Sequence, residues 1–202
     1  MMNRTILTRA GAVAFGALLL ASAGTAVAAA DETDEVEINV EVTDRYPSGV
    51  LAMTVAAAET TLTEVDSGDP LVREFTGQLP TVTVTDTRSV VPGAPWAVHG
   101  TASDFVSGAS MIGAEHLGWT PMLVGDYGPA VEPGGDIETV VDDPGSEGLA
   151  FADGELLYVN WDEVDTYSQG SWSATAGLQL KVDATQVDAG SYTSVLTLSL
   201  FE

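Results

Sequence analysis

Cysteine is absent from the 202 residues, lysine and arginine together number six, and histidine occurs twice. Without cysteine there is no disulfide, no thiolate nucleophile and no lipid-modified cysteine, so stability has to come from a buried core. Two histidines leave little material for a base paired with a nucleophile or for a zinc site of familiar spacing. The few cations face thirty acidic residues, for a net charge of −24. Such a surface repels the phosphates of nucleic acids and anionic lipid headgroups, so neither is an expected partner. Long apolar runs are also lacking, except one over residues 10–21, which is too short to span a bilayer as a stop-transfer helix.

That apolar run lies inside a pattern of its own. Arg4 and Arg9 form a short basic region before it, and Ala26-Val27-Ala28 or Ala28-Ala29-Ala30 offers small residues at the spacing a signal peptidase needs. Residues 1–30 therefore read as a secretory signal peptide, and the expected location is secreted, extracellular or cell wall-associated. Removing thirty residues from 202 leaves 172, residues 31–202, enough for one domain with a sizeable core. The leader takes two of the six cations and no acid, so four basic residues face thirty carboxylates, a net −26. Solubility outside the cell explains such a surface, as does attraction to cations or to basic groups on a wall polymer. The chain closes on Leu200-Phe201-Glu202 without a hydrophobic tail or sorting motif, so no transmembrane or covalent anchor is expected in the mature chain.

After an acidic run at 31–35, the apolar pattern has a period of two. Val36, Ile38, Val40 and Val42 alternate with acidic and polar residues, as in a half-buried strand. Further strands are expected over 50–58, 72–79, 81–88, 96–105 and 117–124, the last interrupted by Pro121. Residues 125–148, rich in glycine, proline and acids, read as a long surface loop. A hairpin over 149–161 would turn at Ala152-Asp153-Gly154. Trp172, Ala174, Ala176, Leu178, Leu180 and Val182 fall on one face of the clearest strand, and Leu196, Leu198 and Leu200 share a face of the last. Strands divided by turn signals, with no helical repeat beyond the leader, predict an all-β fold: an antiparallel β-sandwich in a single domain.

Two segments carry a resemblance. The first is Val84-Thr85-Asp86-Thr87-Arg88, followed by Trp96-Ala97-Val98 and Asp104-Phe105. The second is Gly190-Ser191-Tyr192 with Val195-Leu196-Thr197-Leu198-Ser199-Leu200. Together they resemble the WxL domain of Gram-positive surface proteins, with Val98 where that family's first motif has leucine and Leu198 in place of its second tryptophan. The resemblance implies a β-sandwich-like exported domain that associates non-covalently with the cell wall, has affinity for peptidoglycan and brings no catalytic residues.

Independently of any family, Asp86 and Arg88 lie two apart, so on a strand they project from one face and can pair with each other or with neighbouring strands. Two roles are open: an ion pair fixing register beside a buried Trp96, or a partly exposed Trp96 stacking on a sugar or wall peptide. Of the other tryptophans, Trp172 heads an apolar face and belongs to the core, whereas Trp119 and Trp161 border loops and are candidates for contact. His99 falls opposite Trp96 and Val98 on its strand, and His116 follows Glu115, two adjacent side chains that point apart if extended. Asp142, Asp143 and Glu147 are the best oxygen cluster for calcium but lack the spacing of a known calcium loop, so a solvated acidic loop is the expectation. Gly125 and Gly134-Gly135 each run directly into an aspartate, which would repel a phosphate. No catalytic residue, metal or cofactor is expected. The leading reading is a non-enzymatic protein bound to peptidoglycan or another surface protein, ahead of an assembly or protein-binding module and of a carboxylate-based hydrolase.

Overall fold

The computed structural model describes residues 49–88, 94–161 and 170–202; the strand expected at 36–42 lies outside them. Among the described residues twelve strands follow one another: β1 Leu51–Val55, β2 Thr63–Val65, β3 Val72–Gln78, β4 Val82–Asp86, β5 Trp96–Ala102, β6 Phe105–Ser107, β7 Ser110–Ile112, β8 Leu117–Leu123, β9 Val131–Pro133, β10 Glu155–Asn160, β11 Gly170–Asp183 and β12 Leu196–Phe201. All named pairings are antiparallel.

The first sheet is organised by β11. Its fourteen residues bury Trp172, Ala174, Ala176, Leu178, Leu180 and Val182 on the face that the period of two assigns to them. Along one edge, β3 pairs with Gly177–Asp183 and β4 with Gly170–Ala174, so the two act as one long strand interrupted at residues 79–81. Four steps on that side, Gln78 to Val82, oppose three on β11, Gly177 to Ala174, which is the geometry of a bulge. Two bonds close it: Leu79 N–H donates to Ala176 O at 2.8 Å, and the buried Thr175 hydroxyl donates to Leu79 O at 2.5 Å. β1 and β2 flank β4 and β3, and β8 takes the opposite edge of β11.

The second sheet has the order β12-β5-β10-β9, and β6 with β7 forms a separate hairpin. Aromatic rings join the two sheets. Trp96 of β5 meets Tyr158 of β10 edge-on, with centroids 5.2 Å apart, and lies 5.7 Å from Trp172 of β11. The Tyr158 hydroxyl reaches across to donate to Trp172 O at 3.2 Å. Burial pushes the Tyr158 phenol pKa upward, so it remains a neutral donor. The Trp119 ring crosses the interior to Gly100 of β5, where a Cβ would stand 2.7 and 2.9 Å from two ring carbons.

Three expectations are corrected. Pro121 does not interrupt β8, which runs through it. Val124 N–H donates to Ser173 O and Trp119 N–H to Ile137 O, so Trp119, Pro121 and Leu123 turn their backbone away from β11; Pro121 lacks only an outward donor, which an edge strand tolerates. Residues 149–161 are not a hairpin. A 3-10 turn, Gly148–Ala150, precedes β10, whose partners β5 and β9 are distant in sequence, although Gly154 does adopt the positive φ (76°) expected of the turn. The loop 125–148 includes β9 and lies against β8, because Trp119 and Ile137 exchange backbone hydrogen bonds of 3.0 and 2.9 Å.

Gly100→Ala is therefore expected to destabilise the fold by about 1–3 kcal/mol through overpacking against Trp119. Urea denaturation of the variant checks this, with a lower midpoint at unchanged slope as the expected outcome.

Candidate functional site

Asp86 ends β4 with its carboxylate 2% exposed. Arg88 turns back onto it: Nε donates to Oδ1 at 3.0 Å, Nη2 to Oδ2 at 2.8 Å, and the Arg88 backbone N–H to Oδ1 at 2.9 Å. A two-pronged guanidinium contact is among the strongest ways to compensate a buried carboxylate. The same guanidinium donates to Ala94 O at 3.1 Å and to Glu202 Oε2 at 2.6 Å. Arg88 thereby ties the end of β4 to the residues entering β5 and to the end of β12, joining the two sheets. A shallow cleft of about 500 Å³ opens beside this clamp, lined by Gly49, Val50, Leu51, Arg88, Leu200 and Glu202.

Of the two roles open to this region, the geometry fits the ion pair. Trp96 is 2% exposed beneath Tyr158 and Trp172 and offers no face for stacking. Trp119, expected at a contact surface, is also 2% exposed, because the loop 125–148 covers its strand and Gly100 makes room for its ring. Trp172 is buried as expected. Trp161 alone of the four tryptophans is open, at 55% exposure. It follows the last residue of β10, and two bonds fix it: its backbone N–H donates to Ala130 O and its indole Nε1 donates to Glu132 Oε2, both at 2.9 Å. Asp86 and Arg88 are thus paired at the end of β4 and Trp96 is enclosed between the sheets, while Trp161 is presented outward with Glu132 of β9, a carboxylate that no sequence spacing singled out.

The histidines are held by backbone carbonyls. His99 Nδ1 lies 3.0 Å from Gly154 O with its ring edge-on to Phe201, and His116 Nδ1 lies 2.6 Å from Lys181 O. Asp142, the leading calcium candidate, lies 2.7 Å from Lys181 Nζ and accepts from the Thr139 hydroxyl at 2.9 Å. Partial burial works against its charged form, but the bonds from Lys181 and Thr139 outweigh this and hold its pKa below the usual carboxylate range. Asp143 accepts from Gly145 N–H. Among the described residues, no three histidine or acidic side chains converge as a metal-binding group, and no helix is long and apolar enough to cross a membrane. Compared with known proteins, the chain matches no family model, no curated protein and no solved structure.

The Lys181 contact makes a pH prediction. Since the folded pKa of Asp142 lies below its unfolded value, the pair stabilises the protein above that unfolded value, near pH 4, and the contribution is lost as pH falls through the folded pKa. Lys181→Met is expected to cost about 0.5–1 kcal/mol at pH 7, after allowance for solvent screening, and close to nothing at a pH acid enough to protonate Asp142 in the folded protein. Urea unfolding of both proteins at the two pH values measures it.

Proposed function

We propose that this protein is exported and associates non-covalently with the peptidoglycan of the cell wall, as a non-enzymatic β-sandwich whose contact surface is centred on Trp161 and Glu132. The leader-like residues 1–30 and the resemblance to WxL domains support the location. The observation that carries the reading is the exposed, pinned indole of Trp161. A large aromatic ring held in one orientation offers apolar area to the face of a sugar at little entropic cost. The carboxylate at its edge adds an acceptor for hydroxyl or amide groups, the pairing of an apolar platform with a few placed polar groups that orients a ligand. The contact then lies away from the Asp86–Arg88 motif that the family resemblance would favour, because Trp96 is enclosed. Asp86 and Arg88 hold the sheets together and act on the surface only through the fold.

Co-sedimentation of the chain 31–202 with purified peptidoglycan tests the reading. Wild type is expected to pellet at both low and physiological salt. Trp161→Ala is expected to weaken retention about tenfold or more, as for an interface anchor, with its melting temperature nearly unchanged. Trp96→Ala should instead lose about 3–5 kcal/mol of stability, the cost of emptying a buried aromatic site. A Trp161→Ala protein that pellets like wild type would remove Trp161 as the contact, and a wild type that stays in the supernatant would remove the wall.

A further inference from the structure

The edges of the sheets are finished differently. β8 carries Pro121 at an outward position and the bridge to Ile137; β9 is three residues long and ends on Pro133. Short strands, proline and covering segments are means by which edges resist further pairing. Among the described residues β12 has none of them. Its six residues, Leu-Thr-Leu-Ser-Leu-Phe, include no charge, proline or glycine, and among the described residues it pairs with β5 alone.

The direction of each backbone group on β12 follows from one bond. Ser103 N–H donates to Val195 O at 2.9 Å. In an antiparallel ladder alternate residues share an orientation, so Thr197, Ser199 and Phe201 turn toward β5 while Leu196, Leu198 and Leu200 turn their N–H and C=O to the open side. Among the described residues no backbone hydrogen bond engages that side. The side chains of the same three leucines are half-buried against the core and form the rim of the apolar interior.

We propose that the open edge of β12 receives an extended segment of a partner protein by strand addition, one whose side chains alternate between apolar and basic. The alternation is set by the pleat. Residues on the leucine side would extend the core past Leu196, Leu198 and Leu200, and those between would face outward beside Thr197 and Ser199. Charge decides between occupants. The chain carries a net −24, and the described cations Arg73, Arg88 and Lys181 are each already paired with carboxylates. A second copy would bring the same negative charge to the edge, whereas a basic strand is attracted. β12 and β9 are the opposite edges of the second sheet, so strand addition leaves Trp161 and Glu132 accessible, and the two surfaces can be occupied together.

The test uses the chain 31–202 with two synthetic heptapeptides, one alternating lysine and valine and the other glutamate and valine. Amide hydrogen exchange is read residue by residue, with mass measured by sedimentation. Saturation with the lysine peptide is expected to slow exchange at Leu196, Leu198 and Leu200 about tenfold or more, with little change at Thr197 and Ser199, already bonded to β5, and no increase in mass beyond one peptide per chain. The glutamate peptide is expected to leave all of them unchanged. Leu198→Pro removes an outward donor and no bond to β5, and should weaken binding of the lysine peptide about tenfold; should that variant not fold, the wild-type exchange pattern still decides. Absence of slowing with the lysine peptide, or equal slowing with both peptides, overturns the proposal. So does protection that rises with protein concentration as the mass doubles, which would assign the edge to a second copy.

Discussion

Everything in this fold is arranged around the inward row of β11. Six side chains from Trp172 to Val182 stay buried over a fourteen-residue strand, and that length is met only by letting β3 and β4 share one edge through a bulge. The Thr175 hydroxyl, buried where the outer face meets the bulge, satisfies the carbonyl of Leu79 that the irregularity would strand. Trp172 then sets the position of the second sheet, because Trp96 and Tyr158 pack against it and Tyr158 bonds its backbone. Without disulfides, this burial is what offsets the entropy of ordering the chain.

Charge is distributed under the same constraint. Thirty carboxylates cannot enter such a core, and the three described cations stand where the structure needs a joint. Arg73 links β3 to Glu64 of β2, Arg88 links β4 to both Ala94 and Glu202, and Lys181 links β11 to Asp142. Among the described carboxylates Asp86 is the exception that enters the interior, and it does so with a guanidinium bound on both oxygens. The remaining acidic surface is left to repel anions and attract cations, the charge that the proposed basic strand would meet.

The strands were legible where a period of two extended over many residues. β11 and β12 were readable from their apolar rows, and β3, β4 and β5 from shorter versions of the same signal. Local signals misled where long-range geometry overruled them. Pro121 reads as an interruption, but its missing donor faces outward, and Asp153-Gly154 reads as a hairpin turn although β10 finds its partners elsewhere. At the candidate site, the Asp86–Arg88 pair is expected from side chains two apart on one strand; it forms, but with Arg88 past the end of β4 and turned back onto Asp86. Which tryptophan is exposed did not follow: bordering a loop left Trp161 open but placed Trp119 under residues 125–148. The contact between Trp161 and Glu132 joins residues of β9 and the end of β10, and only the register of those strands reveals it.

The proposed contact of the open Trp161 with the wall, beside three enclosed tryptophans, is read directly by hydroxyl-radical footprinting in a single preparation, with and without peptidoglycan. It predicts rapid modification of Trp161 in the free protein, suppressed when peptidoglycan is added, and slow modification of Trp96, Trp119 and Trp172 in both states. Trp96 or Trp119 reacting as fast as Trp161, or Trp161 reacting equally with and without the wall, would contradict it.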